Sequence, residues 1–364
     1  MNKRIALGAV LLAALVPSTA HAQQVTGSKA DFQLTKNGLD AGVAANINAV
    51  ANRMGRRVGL AEILNPKKVD QFTRELDGAP VPNALTGFRW DGTDEGKPEW
   101  LPQGITGSAD AYPSGLAGNK KVLITSWHGE PTEYSRVTLH DTTSSNADAP
   151  YRHVLLVNPT GGGQVQPLIS HAGGLAWIGN FLYVASTHRL LVFKLSDLIK
   201  VKPRLRGEVR TYDYILPLAG AYTPSPALGV SSVSLDRSQQ RPALVTSEFL
   251  ENAAPGGRLV RFPLKANGLM GKTVGSRNAW STDVTNIQGA LMRNGRFAIT
   301  SSYGNGNPSY LFAGARKTPL RKTEWPRSGA EDLFLVGSND RLYTLTEFEG
   351  TRRVFAVDAS DHGL

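Results

Sequence analysis

GGLAWIGNFLYVAS occupies residues 173–186. A run of small residues enters an apolar segment, Gly179-Asn180 makes a two-residue turn, and a second apolar segment ends in Ala-Ser. Two short apolar runs around such a turn read as a β-hairpin. The same pattern recurs along the chain. GITGS (104–108) precedes VLITSWHG (122–129), GVSSVSLD (229–236) precedes ALVTSEFL (243–250), IQGALMRNG (287–295) precedes FAITSSYG (297–304), and GAEDLFLVGSND (329–340) precedes LYTLTEFEG (342–350). The second strand keeps a template: apolar residues, Thr or Ala, Ser, a variable residue, then His or an aromatic. The last copy fits with one residue dropped. Ser126, Ser186, Ser247, Ser301 and Thr346 mark the copies. Further strand-like runs lie between them, including RVTLHD, HVLLVNP, LLVFKLSD, GRLVRFPL, SYLFAGA and RRVFAVDA. Four short strands per unit at this period is the signature of propeller blades. The expected fold is therefore all-β, a single β-propeller of five blades, six at most, over residues 84–364. The last copy runs out after its third strand. ALTGFRWDG (84–92) can supply the missing outer strand and close the ring, which removes an open edge.

Residues 1–22 read as a secretory signal peptide. Lys3 and Arg4 precede an apolar run of about a dozen residues, and PSTAHA ends it with small residues at Ala20 and Ala22. The run is too short to span a bilayer, and no other run is long enough. The expected location is secreted or periplasmic, after cleavage. With no cysteine, the chain must be held by its core rather than by disulfides. Residues 23–83 read as an N-terminal helical segment. Leu39, Val43, Ile47, Val50 and Met54 recur at helical spacing. In NPKKVDQFTRELDG, Asn65 as N-cap, Pro66 at the first position and Gly78 at the end point to a second helix.

The chain carries 40 Lys and Arg against 30 Asp and Glu. Two basic clusters stand out: Lys200, Lys202, Arg204, Arg206 and Arg210, and Arg316, Lys317, Arg321, Lys322 and Arg327. They read either as contacts for an anionic polymer or as solvated loops. No nucleic-acid-binding motif accompanies them, so nucleic acid is set aside as a partner. The expected partner is an extracellular ligand or cell-envelope polymer, taken up by a monomer.

In a blade, the start of the innermost strand and the end of the second lie at the same rim, because adjacent strands are antiparallel. The template therefore brings two sets of residues together. Gln103, His171, Ser231, Gln288, Glu331 and Asp332 come from the first strands. Trp127, His128, Thr187, His188, Glu248, Ser302, Tyr303, Glu347 and Glu349 come from the second. These positions vary while the surrounding template is kept, as for a site grafted on a repeated scaffold. Gln103, Trp127, His128, His188, Gln288, Tyr303 and Glu347 are candidate ligand-binding residues, with Trp127 able to stack on a sugar. Glu248, Glu331 and His171 are candidate acid–base residues. A His and carboxylate cluster also suits a divalent metal such as calcium, with no ligand set assigned. The alternative is that these residues only fill and hydrate the channel ends. The Gly pair of HAGGLAW reads as a packing need near a crowded axis. No nucleophile elbow, His-Glu-x-x-His, P-loop or dinucleotide fingerprint occurs.

Through WLPQGITGS, YRHVLLVNP and HAGGLAWIGNFLYVAS, the chain from about residue 100 onward resembles secreted bacterial β-propeller proteins. It is more distantly similar to lactonase and gluconolactonase-type propellers. That resemblance implies a metal at the channel mouth, held by an acid and asparagines from separate blades. Glu248, Glu331 and Asp332 are available as acids, and the channel slots hold no asparagine. Two functions follow as expectations: a binding module for an extracellular anionic or carbohydrate ligand, or a lactonase-like hydrolase with its site at the channel mouth.

Overall fold

The computed structural model describes residues 23–27, 31–64, 70–73, 83–131, 134–143, 148–250, 257–325 and 329–364. The signal-peptide reading of residues 1–22 lies outside the described residues.

The opening stretch forms two antiparallel strands, Leu175–Ile178 and Phe181–Ser186, with Gly179 in the left-handed region at φ 55° where the turn requires it. Arg189–Lys194 and residues 218–222 of Tyr214–Ser225 extend it to a four-stranded meander. Trp100–Gly107, Val122–Gly129, Ser135–Asp141 and Asp148–Gly161 make the meander before it. After it come Val230–Asp236, Ala243–Glu248, Arg258–Pro263 and Asn278–Thr282. Ile287–Arg293, Arg296–Ser301, Ser309–Ala315 and Arg321–Trp325 follow. The last run, Phe334–Val336, Arg341–Leu345 and Val354–Asp358, ends at its third strand, and Thr86–Phe88 completes it with Phe88 opposite Val354.

The strands are apolar on both faces because each meander is packed between two others, and the period-2 alternation divides the side chains between them. Leu175, Trp177, Leu182 and Val184 pack with Ile124, Val137 and Leu139 of the preceding meander. Ala176, Ile178, Tyr183 and Ala185 pack with Val233, Leu244, Val260 and Phe262 of the next. Val245 and Leu259 then meet Ala290, Phe297 and Ile299, and Leu291 and Ala298 meet Leu333, Leu342 and Val357. Phe334, Leu345 and Val354 close on Ile105, Leu123 and Trp127 of the first meander. The sequence of contacts returns to its start, so the sheets form a ring, a β-propeller.

At the axis the backbones touch. A Cβ on Gly173 would lie 2.1 Å from the Ser231 carbonyl oxygen, and one on Gly104 would lie 2.3 Å from that of Gly173. This close approach is what the glycines of HAGGLAW and PQGITGS serve.

The N-terminal region joins the ring instead of standing apart. The helix Ala41–Met54 starts at Asp40, whose side chain accepts from the Val43 N–H. It buries Ile47, Val50, Ala51 and Met54; Val50, Ala51 and Met54 pack against Leu155, Val157, Ile199 and Ile215 on the outer strands. Val25–Gly27 pairs with Asn278–Thr282, and Gln33–Gly38 pairs with Tyr214–Ser225. The second helix expected over 65–78 needs correction. Its described part, Asp70–Thr73, is a strand paired with Asp148–Gly161, because partner strands override a local capping pattern. The rest of it lies outside the described residues. No helix among the described residues is long and apolar enough to cross a membrane.

Candidate functional site

The inner strands begin irregularly. The pairing register shifts between Pro102 and Ile105, between Val230 and Ser232, and between Ile287 and Gly289. Each shift is a β-bulge, which re-aims a side chain out of the pleat. Gln103, Ser231 and Gln288 occupy these bulges, and all three line one open cavity of about 640 Å³. His171 and Glu331, which precede their strands, line it too, as do Thr187, His128 and Glu347 from the ends of second strands. Thr187 adopts φ 35°, an unusual backbone for a β-branched residue, right at the cavity wall.

The acidic side chains of the cavity are its main chemical feature. Glu331 and Glu347 hydrogen-bond to each other. Gln103 Nε2 donates to Glu347 Oε2 at 2.7 Å and holds that carboxyl in place. Burial first, and then the nearby negative charge of Glu130, push Glu347 up to about 7, although the Gln103 and Glu331 hydrogen bonds and the Arg352 charge work the other way. Glu331 is raised well above the usual carboxylate range by burial first, then by the charges of Glu347 and Asp332. The pair therefore shares a proton at neutral pH. Across the cavity the rings of His128 and His171 lie 4.3 Å apart. Burial, with the neighbouring His171, lowers His128 to about 3, so it is neutral. Asp332 lies deeper. Its Oδ2 accepts from the Ile105 N–H at 3.1 Å and the Leu175 N–H at 2.8 Å, which ties three inner strands together at the axis.

Four of the expected residues stand outside this cavity. Trp127 is fully buried between meanders, stacked edge-on with Trp90 and covered by the Arg136 guanidinium. Its neighbour His128 reaches the cavity because adjacent strand residues point to opposite faces. Glu248 is buried and engaged: Arg258 pairs with its carboxylate, and the Gly229 N–H donates to Oε1 at 3.0 Å. His188 is exposed away from the cavity, and the Tyr303 hydroxyl bonds Thr285 on the outside. Phe249 and Phe348 line the cavity and were not singled out by sequence, although both occupy the final His-or-aromatic position of the template.

The donors do not fit the metal that the lactonase resemblance implies. The Glu331 and Glu347 carboxyls face each other and Gln103 offers its amide N–H, while among the described residues no three His, Asp or Glu side chains are grouped around a common point. The basic cluster at 200–210 is largely spent on its own surroundings. Lys200 pairs with Glu62, Lys202 donates to the carbonyls of Asn52 and Arg53, and Arg206 pairs with Asp213.

No protein-family model matches the chain, and no curated protein matches it. Solved structures that it resembles include a GH43_1 enzyme from Xanthomonas citri, at 12% identity over 72% of this chain and 90% of that one, with a TM-score of 0.38. A Swd1 β-propeller domain from Myceliophteria thermophila is 10% identical over 75% of this chain and 98% of that one, with a TM-score of 0.35. A gluconolactonase from Xanthomonas campestris is 9% identical over 84% and 98%, with a TM-score of 0.30. Likenesses this slight assign no activity, so the site is argued from its own geometry.

Proposed function

We propose that the chain is a five-bladed propeller whose mouth cavity hydrolyses a small, neutral carbonyl compound, an ester or lactone, by acid–base chemistry. The observation that carries this reading is the hydrogen-bonded pair Glu331–Glu347 at the wall of an open cavity. Two carboxyls in direct contact share one proton and can act as acid and base together. Their contact also separates this site from glycoside hydrolysis, where the two carboxyls stand about 5–10 Å apart. In the proposed reaction Glu347, ionised above about pH 7, takes a proton from water as its oxygen attacks the carbonyl carbon. The bond to the leaving oxygen breaks, and that oxygen takes the Glu331 proton. Glu347 then returns its proton to Glu331 along their mutual hydrogen bond, which resets the pair. Gln103 orients Glu347 throughout. A neutral substrate suits a buried carboxyl pair that carries a negative charge once Glu347 ionises. With residues 1–22 read as an export signal, the proposed location of this activity is outside the cytoplasm.

The test is a panel of esters and lactones assayed from pH 5 to 9. Wild type is expected to turn over at least one of them, with a rate that rises through about pH 7. Glu331→Gln and Glu347→Gln are each expected to lower kcat by about 100-fold or more. Turnover that survives both substitutions overturns the proposal. A wild type that binds sugars or lactones without turning them over supports the second reading, a binding module. That reading is favoured by Phe249, 40% exposed at the cavity and able to stack on a sugar ring.

A further inference from the structure

A second cavity, of about 520 Å³, opens beside the first. Pro98 and Leu101 face the mouth cavity, Lys97 and Trp100 face this one, and Glu130 lines both. Its chemistry is different. One cation on its wall, Arg136, is paired: its guanidinium stacks on Trp100 at 4.3 Å and Trp127 at 4.6 Å, and Nη2 donates to Asp94 Oδ1 at 3.0 Å, while its buried Nε makes no hydrogen bond. Asp94 is committed in turn, since its Oδ2 also bonds His153 Nε2 at 2.8 Å and accepts from the Tyr151 hydroxyl. Burial alone would raise this carboxyl, but His153 and Arg136 outweigh burial and hold it well below the usual range. The Asp94 charge is thereby used up inside the wall.

That leaves Lys97, Arg152 and Arg210 lining the cavity with no ion-pair partner among the described residues. Arg152 Nε is buried and makes no hydrogen bond. Arg210 stacks on Tyr134 at 4.4 Å, which fixes the plane of its fork. Of the acids at this cavity, Asp213 is held by Arg206 at 2.7 Å, while Glu99 and Glu130 are exposed at the edge. Those two edge carboxylates repel a long polyanion and leave room for a single anionic group inside.

We propose that this cavity is a second binding site, for a small molecule presenting one carboxylate or phosphate group, gripped by Arg152 and Arg210 with its carbon skeleton against Tyr134 and Tyr212. Guanidinium forks match the planar, multi-oxygen geometry of both headgroups. The cavity volume suits a monosaccharide-sized ligand. The site is independent of the mouth chemistry and stands or falls separately.

Titration calorimetry on the full chain tests it with three probes: inorganic phosphate, glucuronate and glucose. At low salt at least one anion is expected to bind, more weakly as salt rises, while neutral glucose leaves this cavity empty. The tighter of the two anions names the headgroup. Arg152→Gln and Arg210→Asn are each expected to weaken anion binding about tenfold. Arg210 is exposed with φ 53°, a backbone that Asn accepts, so the second variant keeps its fold, and a thermal melt checks this. Binding by neither anion, or affinity unchanged in both variants, overturns the proposal.

Discussion

Glu347 couples the site to pH through stability as well as reaction. Its folded-state value of about 7 lies above the ordinary 4.5. The folded chain then holds a proton that the unfolded chain releases, so stability is greatest below about 4.5 and declines as pH rises towards 7. Glu347→Gln removes that proton and is expected to flatten the fall in Tm between pH 4.5 and 7.5, measured by thermal melts. A slope identical to wild type would place the titration elsewhere. The same residue shows what sequence reasoning can and cannot resolve. Trp127 and His128 are neighbours at the end of a template strand. A repeat marks both members of such a pair as candidates, but the pleat turns them to opposite faces. His128 faces the cavity and Trp127 the core. Glu248 occupies the same kind of slot as Glu347, yet the Arg258 guanidinium, ten residues away, is what separates their fates. That pairing depends on the next strand and not on the slot itself.

At the scale of elements, the repeat was legible because each template hydroxyl does local structural work. Ser126 Oγ donates to the Gly173 carbonyl and accepts from the Gly104 N–H, both at 2.8 Å, and Ser301 Oγ donates to the Thr285 carbonyl at 2.7 Å. Such bonds stitch one inner strand to its neighbours, so the pattern shows in every copy. The strand at 70–73 was not legible, because what makes it a strand is the remote segment Asp148–Gly161. The bulges that aim Gln103 and Gln288 were hidden too, since a bulge is a property of two paired strands. Asp332 allows a test of the stitching. Its Oδ2 holds two backbone N–H groups from different strands in a buried setting. Asp332→Ala is expected to cost about 2–4 kcal/mol in urea unfolding, because both donors lose their acceptor. Asp332→Asn keeps an acceptor oxygen and is expected to stay within about 1 kcal/mol of wild type. Equal losses in the two variants would show that packing, not the hydrogen bonds, makes the residue matter.

At the scale of the molecule, the N-terminal arm belongs to the ring. Phe32 is fully buried, packs with Tyr222, Val260 and Phe262, and lies under the Arg258 guanidinium at 5.1 Å. Phe32→Ala is expected to lower stability by about 3–5 kcal/mol in one cooperative unfolding transition. A separate early transition, with the remainder melting as in wild type, would mean that the arm folds as its own unit. The arm also dictates an order of events. Its strands come first in the chain, but their partners come late: Val25–Gly27 waits for Asn278–Thr282, and Thr86–Phe88 waits for Val354–Asp358. Contacts this far apart in sequence form slowly. During synthesis, therefore, Val25–Gly27 stays unpaired until residue 282 has been made, and Thr86–Phe88 until residues 354–356 follow. A chain stalled or clipped before residue 354 keeps its last sheet unfinished and both flanking edges exposed. The last sheet therefore closes only once residues 354–358 have been made, and until then Thr86–Phe88 is a strand without its partner.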